Sequence, residues 1–343
     1  MAELTGAGTT QTAAMALIGL AKSALHYRRN PRPGVAEPIA HRDRRQPTAI
    51  TDQERAWIID QLNAHDGVPV EQVYYLSLDQ GEGSFVSLAT FHRIARVIER
   101  PSCRRQRRAG TPDAARRQAP DLRATGPGQV LCWDITVLPG QYRGQSFALY
   151  AAIDLFSRKV VGHTVQPRED HIVAAKWMGK VLDSLGGRTR VVHSDNGAAM
   201  TSNKMKDLLG KRGVTHSLSR PAVSNDNPHI ESWFSTVKYH RQYPQLFDDV
   251  HDAASWCDEF IEHYNSAHRH SGVNGYTPDQ VFSGTWREVH ARRQASADQA
   301  YNTTPIRFRR PPTVPAPPEH TRLAVTARKA PTATSTVEQL LAA

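Results

Sequence analysis

From residue 129 onward the chain breaks into short apolar segments whose order leaves few folds open. "QVLCWDITVL" (129–138) reads as a strand, and "SFALYAAIDLFSRKVVGHTV" (146–165) as two more with a turn near Ser157 and Arg158. "HIVAAKWMGKVLDSLG" (171–186) has a helical pattern. "TRVVHSDNG" (189–197) is a short buried strand running into a loop. "SNKMKDLLGKRG" (202–213) is a helix with Gly213 placed to end it, and "VTHSLSRP" (214–221) is a fifth strand. Helices follow at 228–241 and about 249–267; Asn227 can cap the first, and Pro228 suits its first position. Three strands, then helix, strand, helix, strand and helix describe an α/β fold, a mixed five-stranded sheet flanked by helices.

A chain of 343 residues has room for two or three domains. "MALIGLAKSALHYRRN" (15–30) can form a short amphipathic helix, and 1–50 is otherwise a mixed basic segment. Residues 51–100 form a compact helical unit: "TDQERAWIIDQLNAH" with Thr51 as cap, "PVEQVYYLSLDQ", and "SLATFHRIARVIER" with Ser87 as cap. In the third helix Leu88, Phe91, Ala95 and Ile98 share one face, and Arg93, Arg96 and Arg100 share the opposite one. That suits a helix-turn-helix module that binds DNA, or equally a small bundle with a solvated last face. Residues 101–121 read as a basic linker, 122–285 as the sheet domain, and 286–343 as a basic, Pro-rich, disordered tail.

The net charge is +10, and its distribution matters more than its size. Residues 121–280 carry 17 basic and 17 acidic side chains, so the excess lies in the flanks. Nine arginines and two acids fall between Arg93 and Arg117, which fits a polyanion partner or a solvated charged linker. No apolar run is long enough for a transmembrane helix, and "AAMALIGLA" lacks the basic region of a signal peptide. Three scattered cysteines, Cys103, Cys132 and Cys257, suggest a reducing cytoplasm.

Two acids stand in apolar strands, where an unpaired charge is costly: Asp134 in "LCWDITVL" and Asp195 in "VVHSDNG". If their strands are neighbours, both emerge near one sheet edge. Glu231 follows Asp195 with 35 residues between, in the first turn of a helix, where the ionised form is favoured. Each alone can be a surface residue or a cap. Together they can hold hard divalent cations such as Mg²⁺. Lys238, two helical turns beyond Glu231, can hold a phosphate or merely be solvated.

"WDIT", "HSDNG" and "SNDNPHIESWFSTVKYHR" resemble the three catalytic blocks of the integrase-core transposases of bacterial insertion sequences. Of these, the second-frame products of insertion sequence family three are the most similar. "AAIDLFSRKVVGHTV" resembles that family's second and third strands, and "EHYNSAHRHSGVNGYTPDQVF" its end-of-core block. Residues 51–100 resemble the helix-turn-helix segment before the core, and the likeness spans about 51–285.

The resemblance implies a ribonuclease-H-like core similar to that of retroviral integrase, and a D,D,35,E site made of Asp134, Asp195 and Glu231. It implies Mg²⁺, with Mn²⁺ as a substitute and two ions per site when DNA is bound. The activity it implies is that of a polynucleotidyl transferase cutting and joining DNA at an element's ends and its target. Lys238, Asn196, Gly197, Arg93, Arg96 and Arg100 are then the expected DNA-binding residues. A homodimer or larger synaptic complex, an upstream-frame partner protein, and a cytoplasmic, nucleoid-associated setting are also implied. An inactive DNA-binding relic and a ribonuclease-H-type nuclease are the competing readings. The retroviral zinc module has no counterpart: His263, His268 and His270 lie close together without a cysteine pair, and read as structural or phosphate-facing. No G-x-x-x-x-G-K-[ST] loop occurs, which argues against ATP use.

Overall fold

The computed structural model describes residues 2–30, 40, 46, 48–81, 86–100, 121–220 and 226–324. The chain divides into two compact units, Met1–Ala49 and Ile50–Ala343. Of the linker expected at 101–121 all but Asp121, and the last residues of the tail, 325–343, lie outside the described residues.

Among its described residues the first unit holds three short helices, α1 (Ala2–Gly6), α2 (Gln11–Leu17) and α3 (Lys22–Arg29). The single helix expected over 15–30 is thus two. Gly19, at φ +63°, takes the left-handed conformation that ends α2 at little cost.

The second unit opens with the expected helical trio, α4 (Asp52–Ala64), α5 (Val70–Gln80) and α6 (Leu88–Val97). Thr51 and Glu54 form a reciprocal capping box at the start of α4, and the Ser87 hydroxyl caps α6. Ile58, Leu62, Val73, Phe91, Ile94 and Ala95 make a small separate core. After α6 the chain turns sharply at Glu99, at φ +52°.

β1 (Asp121–Ala124) leads into the main sheet. Its strands are β2 (Val130–Pro139), β3 (Ser146–Asp154), β4 (Val160–Gln166), β5 (Val191–Ser194) and β6 (Thr215–Leu218). Their order is β4-β3-β2-β5-β6. The β2–β3 and β3–β4 pairs are antiparallel; β5 runs parallel to β2, and β6 parallel to β5. This is the mixed five-stranded sheet that the sequence leads one to expect. The hairpin from β3 to β4 turns at Arg158, at φ +69°, where the sequence placed a turn.

Both faces are covered, which is why β2 reads as almost continuously apolar. Leu131 and Trp133 pack beneath α7 (His171–Ser184) and α8 (Asn203–Lys211). Val130 and Cys132 face α9 (Pro228–Lys238) and α10 (Val250–Ser266) on the other side. Trp256, Phe260, Tyr264 and His268 stack in succession at centroid spacings of 5.1, 6.3 and 5.1 Å, lining the α9–α10 seam.

The tail differs from expectation. Residues 286–324, read as disordered from composition, contain α12 (Trp286–Thr303) and β7 (Thr321–Ala324), after a short α11 (Pro278–Ser283). β7 pairs antiparallel with β1, Leu323 opposite Leu122. The segment has little core of its own but folds onto surfaces already built by the rest of the unit.

Candidate active site

Sheet register brings the two aspartates together. Val130, Leu131 and Cys132 of β2 lie beside Val191, Val192 and His193 of the parallel β5. Two residues further along these strands stand Asp134 and Asp195. The carboxyl ends of parallel strands are where open α/β sheets place their sites. Asp134 shares the side-chain parity of Val130 and Cys132, so it faces α9. Ile230, Trp233, Phe234 and Val237 bury the inner side of α9 in that same core. Glu231 stands in the first turn of α9 and Lys238 in the last, both exposed.

The acids feel one another. Burial pushes the Asp134 carboxyl up to about 7 from its ordinary 3.8, against a hydrogen bond from the Ile135 N–H at 2.7 Å that favours the ionised form. The negative charges of Asp195, Glu231 and Glu169 push it further the same way. Glu231 reaches solvent, yet the low polarity around it and the charges of Asp195 and Asp226 raise its proton affinity as well. Partial burial lowers the proton affinity of Lys238, opposed by the charge of Asp134. These four groups therefore share one electrostatic site.

They are not drawn into a closed ligand set. Among the described residues no group of three or more His, Cys, Asp or Glu side chains is arranged to hold a metal ion. One oxygen of each aspartate is turned to its own backbone: Asp134 Oδ1 accepts from Ile135, and Asp195 Oδ1 accepts from the Gly197 N–H at 2.9 Å. Carboxylates that repel have every reason to keep such local donors. The donor chemistry nonetheless fits a hard divalent cation: oxygen ligands of one sign, with Asp134 partly buried and reluctant to ionise without a counter-charge.

The loop after Asp195 is tightly made. The Asn196 side-chain amide donates to the Ser219 carbonyl at 2.7 Å, tying the loop to the end of β6. A Cβ on Gly197 would lie 2.8 Å from the Met200 sulfur and 3.1 Å from Asp195 Oδ1, so a larger residue would have to displace the end of the Met200 side chain. Asn227 does not cap α9 with its side chain; it donates instead to the Trp133 carbonyl at 3.3 Å, while Pro228 does open the helix.

The expected arginine stripe is a pair. Arg93 and Arg96 are exposed on α6. Arg100 lies beyond the helix and turns inward, donating to the carbonyls of Leu62, His65 and Val68 at the end of α4. Those carbonyls lack helical partners, which is what draws a guanidinium to them.

His268 and His270 are structural. His268 contacts the Gln72 amide at 2.8 Å and His270 accepts from the Gly272 N–H at 3.0 Å. Burial pushes them down to about 4 and about 3 respectively. Sequence reasoning missed Glu169, in the β4–α7 loop, whose charge acts on Asp134, and the buried Asp226, whose charge acts on Glu231 and whose hydrogen-bond partners are His193 and Arg220.

The chain is similar to known proteins over its sheet domain. Two family models described as integrase core domain match, one over residues 124–224 and the other over 212–278. The putative transposase InsK of insertion sequence element IS150 from Escherichia coli is 26% identical over 167 residues, which are 48% of this chain and 58% of the relative. The transposase of insertion sequence element IS904 from Lactococcus lactis is 31% identical over 169 residues, 46% of this chain and 62% of that protein. The chain thus spans about three-fifths of the length of these curated relatives. Among solved structures, the HTLV-2 integrase catalytic core domain in complex with magnesium is 18% identical, covering 46% of this chain and 97% of that one at a TM-score of 0.35. Residues 124–224 and 212–278 of this chain thus match integrase core domain models, and about half of the chain is similar to transposases of bacterial insertion sequences.

Proposed function

We propose that the protein is a transposase, a polynucleotidyl transferase that cuts the 3′ ends of an insertion sequence and joins them to target DNA. What supports this reading is the strand register that sets Asp134 and Asp195 at the ends of adjacent parallel strands, together with the electrostatic influence of Asp195 and Glu231 on Asp134. In the first step water attacks a phosphodiester at the element's end, and the departing oxygen leaves as a free 3′-hydroxyl. In the second step that hydroxyl attacks a phosphodiester of the target, displacing another oxygen and joining the strands. Both displacements need alignment and charge neutralisation rather than a covalent enzyme intermediate.

Asp134, Asp195 and Glu231 would hold Mg²⁺ or Mn²⁺, two ions per site when DNA is bound. Such ions supply charge neutralisation at phosphorus and a more acidic nucleophile. The chain's own residues do the rest. Lys238 grips a phosphate beside the acids. Asn196 and Gly197 keep the loop after Asp195 closed, leaving room for a DNA backbone. Arg93 and Arg96 meet DNA phosphates or base edges from α6, with salt-sensitive affinity. Two ends must be held at once, so a dimer or larger synaptic complex with a cytoplasmic, nucleoid-bound location goes with this activity.

The test is cleavage of a duplex carrying the element's terminal repeats. Asp134→Asn, Asp195→Asn and Glu231→Gln each abolish cleavage and leave end binding nearly intact. Retained cleavage in any one counts against the assignment. Preference for an RNA–DNA hybrid over duplex ends would favour a ribonuclease-H-type nuclease instead.

A further inference from the structure

The loop from β6 to α9 begins and ends on one ion pair. Asp226 is fully buried. Its Oδ2 accepts the backbone N–H of Arg220 at 2.8 Å and the Nε–H at 2.9 Å, and its Oδ1 accepts an Nη2–H at 2.8 Å. A planar guanidinium fork on a carboxylate is directional as well as strong. The main chain of Asp226 is held too. Its carbonyl lies 3.0 Å from Nε2 of the buried His193, two residues before Asp195 on β5. A carbonyl can only accept, so the proton sits on Nε2, and Nδ1 accepts the Ser217 hydroxyl at 3.0 Å. The next residue, Asn227, donates to the carbonyl of Trp133, the residue before Asp134. Residues 226 and 227 thus touch the strands of both aspartates, and one helical turn later comes Glu231.

We propose that Asp226 and Arg220 are positioning residues that hold the first turn of α9 so that Glu231 faces Asp134 and Asp195. Neither touches DNA or the reacting phosphate in this arrangement. Their work is to fix the third carboxylate, the one ligand that does not come from the sheet. A helix can rotate or slide by an ångström against a sheet without losing its apolar contacts. A buried bidentate pair and two strand-to-loop hydrogen bonds resist that. The inference rests on the proposed role of the three acids as metal ligands.

The test uses the full-length chain and Mn²⁺ alone, followed by the rise in melting temperature. The wild type gives an apparent metal midpoint. Asp226→Asn raises that midpoint about tenfold or more, the range found when a residue supporting a metal ligand is replaced. DNA-end binding is unchanged, and excess Mn²⁺ restores cleavage. Arg220→Lys keeps the charge but not the planar fork, and shifts the midpoint in the same direction by less. Unchanged midpoints in both variants overturn the proposal. So does joint loss of end binding and metal response that no excess of Mn²⁺ recovers, the mark of a role in folding alone. Should Asp226→Asn fail to fold, the Arg220→Lys midpoint decides. A wild-type chain whose melting temperature ignores Mn²⁺ sinks the reading of the three acids, and this proposal with it; a responsive wild type with indifferent variants sinks this proposal only.

Discussion

Asp134 pays for its position in proton affinity. Its carboxyl is held at about 7 in the folded chain against 3.8 ordinarily, with burial the first cause. The sign of the stability effect follows. Below pH 4 both folded and unfolded forms are protonated, and the residue contributes nothing. Between about 4 and 7 the unfolded chain gives up the proton and the folded one keeps it, so stability falls as pH rises. Above 7 the full penalty applies, about 4 kcal/mol at most. In metal-free buffer Asp134→Asn therefore raises the melting temperature at pH 8 and leaves it unchanged near pH 4. Added Mg²⁺ should narrow that gap by stabilising the wild type alone. Thermal denaturation at the two pH values, with and without the ion, checks both. The acid itself was legible as an anomaly, a charge in an apolar strand. That its strand lies beside the strand of Asp195 was not legible, because Cys132 opposite His193 is a matter of register that no linear spacing encodes.

Arg100 shows how an element can be read correctly and its boundary misread. The amphipathic pattern of α6 placed Phe91 and Ala95 inside and Arg93 and Arg96 outside, as observed. Extending the same periodicity to Arg100 failed because the helix ends at Val97 and Glu99 turns the chain. The guanidinium then serves the end of α4. Arg100→Ala should cost about 2 kcal/mol of stability, since hydrogen bonds from a charged donor contribute about 1.5–3 kcal/mol and three carbonyls lose one. Its effect on the salt dependence of DNA binding should be small beside that of Arg93→Ala with Arg96→Ala. Denaturation curves and binding isotherms over a salt series measure the two effects separately. α9 carries the complementary lesson. Pro228 at its start was legible from composition, whereas the Asn227 side chain left its capping role for the Trp133 carbonyl, a partner 94 residues away.

At the scale of the whole molecule, one carboxylate joins three parts of the second unit. Asp79 at the end of α5 accepts Arg269 Nε–H and Nη2–H at 3.1 and 2.9 Å, from the turn after α10, and Arg293 Nε–H at 2.7 Å, from α12. Arg293 is 1% exposed and lies 4.4 Å over the Tyr276 ring. Gly275, at φ +75°, allows the Tyr75 ring to settle where a Cβ would stand 2.1 Å away. A second tie runs from Arg307 to Glu54. Asp79→Ala should cost about 3–5 kcal/mol, because it strands a buried guanidinium rather than removing a whole pair. Arg293→Met added to Asp79→Ala should recover part of the loss in a double-mutant cycle. Equal losses in single and double variants would show that Asp79 holds the parts together by some other means.

The order of strands and helices, the two-sided burial of the sheet, and the caps at Thr51 and Ser87 were all determined by the sequence itself, which also singled out Asp134, Asp195 and Glu231 as candidates. Each depends on neighbours within a few residues, or on motifs that stand in the chain as written. Tertiary structure alone decided the rest. It ordered residues 286–324 against composition, turned Arg100 inward, and set Asp226, Arg220 and His193 behind Glu231. The reason is common to all three. A buried polar or charged group keeps its place only when a partner meets it, near or far in the chain, and where that partner lies is a property of the packed molecule.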